Sequence, residues 1–104
     1  MKEIAEKYPK GWEYVEEDFR DRHNADINDV KFSLVFGYLV LEFFPKYGIE
    51  IERLIMEDLG MCYGIHCKNL TWQEELKIPL FKLPEDAITK AAEIRERQLE
   101  GGGE

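Results

Sequence analysis

From Phe32 to Phe44 the chain carries one charged side chain, Glu42, amid Phe, Leu, Val and Tyr. The run is well short of the ~18 to 20 apolar residues that span a bilayer, so protein has to bury it. A helix made of it would be apolar nearly all round and would need covering on most sides. Ile27, Val30, Leu34, Leu41 and Phe44 fall on an a/d-like seam, which predicts a helix over 27–46. A strand reading of 31–41 competes, because Val, Phe and Tyr favour the pleated surface. The helix is preferred because Lys46-Tyr47-Gly48-Ile49 has the form of a glycine C-cap followed by its hydrophobic contact. Pro45, inside the last turn, would kink or shorten it.

The flanking segments supply the covering elements. Tyr8, Trp12, Val15 and Phe19 recur at helical spacing, with Glu13, Glu16, Glu17, Asp18 and Asp21 between them. That pattern predicts an amphipathic helix over 10–22 with a solvated acidic face. Asn24-Ala25-Asp26 follows as a break and an N-cap. Ile49-Glu50-Ile51-Glu52-Arg53 alternates as a half-buried strand does, which predicts strands at 49–57 and 61–67 about a turn at Asp58-Leu59-Gly60. Thr71-Trp72-Gln73-Glu74 has the capping-box pattern of a short helical turn. Leu76, Ile78 and Leu80 alternate as a third strand would, with Pro79 confining it to an edge. The two readings of 71–83 stay open. Pro84 followed by Glu85 and Asp86 opens a last helix over 84–99, with Asp86–Lys90 and Glu93–Arg97 as ion pairs one turn apart. The expected class is therefore α+β: two N-terminal helices, an antiparallel sheet of two to three strands, and a C-terminal helix. The 104 residues suit one domain over 1–100, with Gly101-Gly102-Gly103-Glu104 as a disordered tail.

Charge narrows the partners. Lys and Arg number 14 against 22 Asp and Glu, a formal net charge of −8, and no basic cluster exceeds a pair. Nucleic-acid binding is not expected, because phosphate neutralisation needs a basic face. The N-terminus, Met1-Lys2-Glu3-Ile4-Ala5-Glu6-Lys7, lacks the apolar stretch of a signal peptide, and no membrane partner is expected. Two cysteines are too few to staple a secreted scaffold, so reduced thiols in a cytoplasmic protein are the expectation.

Chemistry-bearing residues are sparse. Cys62, His66 and Cys67 are the candidate metal ligands, with His23 a conceivable fourth. Their C-x3-H-C spacing lacks the paired motifs of structural zinc sites, and a strand would place Cys67 opposite the other two. Asp58 with Glu75-Leu76-Lys77 has the outline of a D…ExK nuclease site, in which carboxylates hold Mg²⁺ and the lysine supports the attacking water. There is no nucleophile elbow, phosphate-binding glycine loop or H-E-x-x-H. No cofactor is expected and no catalytic residue is assigned.

The order of elements after the first helix resembles that of the double-stranded-RNA-binding fold, in order alone. Where that family carries lysines at the start of its last helix, this chain has Pro84-Glu85-Asp86, which disfavours RNA binding. In general character the chain resembles the small proteins carried by phages and mobile elements. The expected function is a non-catalytic protein-interaction or regulatory module. The alternatives are a small metal-dependent enzyme, nuclease-like or with a zinc site, and an acidic inhibitor that mimics DNA through its first helix. The expected partner is a protein or a second copy of the chain. The flanking helices have little apolar surface to offer, so Phe36, Tyr38, Leu39, Val40 and Phe43 are expected at the interface of a homodimer.

Overall fold

The computed structural model describes residues 2–68 and 70–100. The glycine tail expected at 101–104 lies outside the described residues. The fold is α+β: helices α1 (Lys2–Lys7), α2 (Pro9–His23) and α3 (Phe32–Tyr38) precede strands β1 (Ile49–Met56) and β2 (Gly60–Cys67), and α4 (Trp72–Leu76) and α5 (Pro84–Glu100) follow.

The helix expected over 27–46 is broken into pieces. Asp26 caps a 3₁₀ turn at Ile27–Asp29 by accepting the Asn28 N–H, and Lys31 is extended, so the α-helix starts only at Phe32. After Tyr38 the backbone widens into a π turn, Leu39–Phe43, and then tightens into a 3₁₀ turn, Phe44–Tyr47, that holds Pro45. Gly48 ends it in the left-handed conformation (φ 74°), as the glycine C-cap required.

This break overturns the expected seam. Val35, Leu39 and Phe43 face inward with Tyr38, while Leu34 and Leu41 are exposed. A π turn inserts one residue per turn, so a phase counted from Ile27 at constant pitch does not survive to residue 41. The buried apolar side chains meet in a cluster that takes Trp12, Val15 and Phe19 from α2, Leu39, Phe43 and Phe44 from the π segment, and Ile88, Ala91 and Ile94 from α5. The expected stripe of α2 is thus core. Its solvent face carries Glu13, Glu17, Arg20 and Asp21.

The strands form an antiparallel hairpin with Ile49 opposite Cys67 and Arg53 opposite Tyr63, closed by a turn at 57–59. Odd-numbered residues face the helices, and Ile49, Ile51, Ile65 and Cys67 join the core there. In place of a third strand, Phe81 makes a single antiparallel bridge to Tyr63, with both backbone hydrogen bonds formed. The capping box at 71–74 is realised as well: Thr71 accepts the Glu74 N–H and starts α4. Of the two readings of 71–83 the helical turn holds, whereas the alternation of Leu76, Ile78 and Leu80 makes no strand: Leu76 lies in α4 and only Phe81 bridges to the sheet. A short helix thus stands where the double-stranded-RNA-binding order has none, and a bridge replaces its third strand.

Candidate functional site

Several features of the described surface carry chemistry or apolar exposure. The first is a charged hub on α2. Asp18 follows the buried stripe closely enough to be drawn inward, and it accepts hydrogen bonds from the Tyr38 hydroxyl (2.6 Å), Lys46 Nζ (2.9 Å) and Arg22 Nε. Partial burial pushes the Asp18 carboxyl up, but the bonds from Lys46, Tyr38 and Arg22 outweigh it and hold the carboxyl at about 2. Burial, then the Asp18 carboxylate, push the Tyr38 phenol up, so it stays a donor. The hub joins α2 to α3 and to the 3₁₀ turn. Its groups satisfy one another, as in a structural network. Beside it, His23 lies against Phe19 and Tyr38 and pairs with Glu42 at 3.1 Å, away from β2.

The second feature is a histidine between two carboxylates. His66 Nε2 lies 2.9 Å from Glu52 on β1, and Nδ1 lies 3.3 Å from Glu75 on α4. The same Glu75 oxygen accepts the Cys67 N–H at 3.1 Å, so one carboxylate fastens α4 to the end of β2. The Glu52 bond, outweighing the opposing effect of burial and aided by Glu75, pushes the His66 imidazole above its ordinary value. A raised histidine stabilises the fold fully below the ordinary histidine range, and the contribution is lost as pH rises through the raised value. Glu52→Gln is expected to bring the His66 titration, followed by NMR of its ring protons, back toward the ordinary range. An unchanged titration would show that Glu52 is not the cause.

The candidate metal ligands do not converge. Cys62 and Cys67 are free and buried, and strand alternation sets Cys67 on the helix-facing side while Cys62 and His66 share the other. No group of three His, Cys, Asp or Glu side chains able to hold a metal ion occurs among the described residues. The D…ExK outline fails on distance. Asp58 sits in the hairpin turn, beyond the Gly60 end of β2, whereas Glu75 is bonded at Cys67, a strand length of roughly 23 Å away. Lys77 closes α4 with no ion pair among the described residues. Of the expected pairs on α5, Glu93–Arg97 forms at 3.4 Å, but Lys90 turns to Glu93 at 2.6 Å instead of Asp86.

The third feature is an apolar groove of about 550 Å³ between α3 and the hairpin, lined by Phe36, Val40, Leu41, Ile51, Arg53 and Tyr63 among others. No carboxylate lines it. Its walls continue outward along the strands by alternation, from Arg53 to Ile55 (86% exposed) and from Tyr63 to Met61. Of the five residues expected at an interface, Tyr38, Leu39 and Phe43 are buried in the core and are not available to a partner. Phe36 and Val40 are half-buried in the groove wall. Leu41, which the seam had assigned inward, stands at the rim, 78% exposed. The misphased helix hid this exchange; a π turn at 39–43 has no side-chain signature that would have revealed it. No described helix is long and apolar enough to cross a membrane. The chain matches no protein-family model, no curated protein and no solved structure.

Proposed function

We propose that the chain is a non-catalytic protein-interaction module that works as a homodimer, with a second copy seated on the groove between α3 and the hairpin. The observation that carries the reading is the carboxylate-free apolar groove, continuous with exposed Leu41, Ile55 and Met61, on a chain of net charge −8. Interface cores are depleted in charge, and contiguous apolar patches beyond a few hundred Å² mark interaction sites on soluble proteins. An exposed apolar patch is covered most simply by the same patch of a second copy, since closed two-fold dimers are the commonest soluble oligomers. It also keeps the remaining acidic surface of each copy in water, where like charges are screened.

The outer edge of β1 supports the groove face, and not edge-to-edge strand pairing, as the contact. The bridge at Tyr63 directs its backbone groups away from β1, so the paired bonds of the hairpin fall at even positions. The N–H and C=O groups of Ile51, Arg53 and Ile55 therefore point to the open edge. Exposed Glu50, Glu52 and Arg53 guard that edge, as charges on natural edge strands do.

Sedimentation equilibrium at micromolar concentration is expected to give the mass of two chains. Leu41→Asp combined with Ile55→Asp is expected to give the mass of one, with the thermal transition of the monomer intact because both side chains are already in water. A single-chain mass for the unsubstituted protein would overturn the reading.

A further inference from the structure

A second cleft, sharing no lining residue with the groove, lies between α4 and α5 and encloses about 400 Å³, within the range of small-molecule sites. Its floor is apolar: Leu70, Ile78, Ile94 and the buried thiol of Cys67. Its rim is cationic. Lys77 comes from the end of α4, and Lys90 and Arg97 come from two turns of α5. Glu74 is the one carboxylate in the lining. On a chain whose acidic residues outnumber its basic ones by eight, three cations converging on one apolar hollow are against the grain of the surface.

We infer that this cleft binds a small amphipathic organic anion, a hydrocarbon body carrying one carboxylate. The body displaces water from Leu70, Ile78 and Ile94, and burial of apolar surface supplies the attraction. The head meets Lys77, which makes no ion pair among the described residues, near the ammonium of Lys90 and the guanidinium of Arg97. The protein shows the last two in the act of holding a carboxylate: Glu93 bridges Lys90 at 2.6 Å and Arg97 at 3.4 Å. The charge-assisted bonds from Lys90, with Arg97 nearby, push the Glu93 carboxyl down. A ligand carboxylate adds to this array through Lys77 and does not need to displace Glu93. One wall is the short helix α4, which buries none of its residues and is fastened to β2 through Glu75.

The probe is octanoate, added to the full chain and followed by amide NMR shifts. Shifts clustered on Leu70, Ile78, Ile94 and Gln98 are expected to saturate with a Kd of about 1 mM, the scale set by a ligand of that size. Octanol and octylammonium at the same concentrations are expected to leave those amides unshifted or to bind at least about tenfold more weakly. Lys77→Glu, a change on an exposed side chain, is expected to weaken octanoate about tenfold while preserving the thermal transition. Ile78→Asp tests the floor by the same readout. Failure of octanoate to saturate, equal binding of octanol, or shifts centred on the α3 groove would each overturn the inference. The dimer is tested separately by mass, so loss of octanoate binding at this cleft leaves that reading standing.

Discussion

Leu39→Ala removes about 3 kcal/mol of stability, whereas Leu41→Ala, two residues on in the same π turn, changes it by less than about 0.5 kcal/mol. Leu39 has no exposed surface and meets the aromatic centre of the core; Leu41 stands 78% exposed. Truncating a buried leucine loses the transfer free energy of its methyl groups and leaves a cavity that neighbours fill only in part. For a chain of this length about 3 kcal/mol is a large share of the 5–15 kcal/mol that separates folded from unfolded. It amounts to a fall in Tm of roughly 12 to 24 °C. Urea melts of the two variants at a dilution where the chain is monomeric make the comparison. Equal losses would place both leucines on one face and refute the phase of the π turn.

The second large effect concerns a cap supplied from far along the chain. Tyr8 offers no side-chain bond to the N-terminus of α2; instead Glu96 of α5, itself 8% exposed, accepts the Gly11 N–H at 2.8 Å. Glu96→Ala is expected to cost about 2 kcal/mol, because a charged acceptor is lost and the buried N–H stays unpaired. Gly11→Ala would ordinarily gain about 1 kcal/mol of helix propensity. Here an added Cβ would lie 3.1 Å from the Glu96 oxygen, so the carboxylate has to withdraw from its bond. A net loss is expected from Gly11→Ala alone. In the Glu96→Ala background the same substitution is expected to be stabilising. Chemical denaturation of the four species closes the cycle. Additivity of the two changes would show that the carboxylate is not what makes the glycine necessary.

Local signals carried much of the architecture. The glycine cap at 48, the turn before Gly60, the capping box at Thr71 and Pro84 at the head of α5 are each set by residues within one turn, and each stands where expected. What local reading misses is phase and reach. The Ile27–Phe44 seam presumes one pitch, and the chain changes pitch three times. The short helix α1 went unread, as its capping cues are poor. The sequence pattern alone sets Asp18 on the solvated acidic face of its helix, because its partners Tyr38 and Lys46 come from other elements. The His66 cluster was closer to legible. Once the hairpin register is fixed, Glu50, Glu52 and His66 fall on one face, although nothing local foretells that Glu75 joins them.

The bond between Gly11 and Glu96 also bears on how the chain is made. Translation runs from the amino end, at about 5–20 residues per second. Trp12 and Val15 thus leave the ribosome several seconds before Ala92, which completes their enclosure together with Phe43 and Phe44. During that interval α2 has neither its distant cap nor its full cover, so a nascent chain exposes the same aromatic stripe that later forms the core. Completion of the first long helix is thereby deferred to the synthesis of the last.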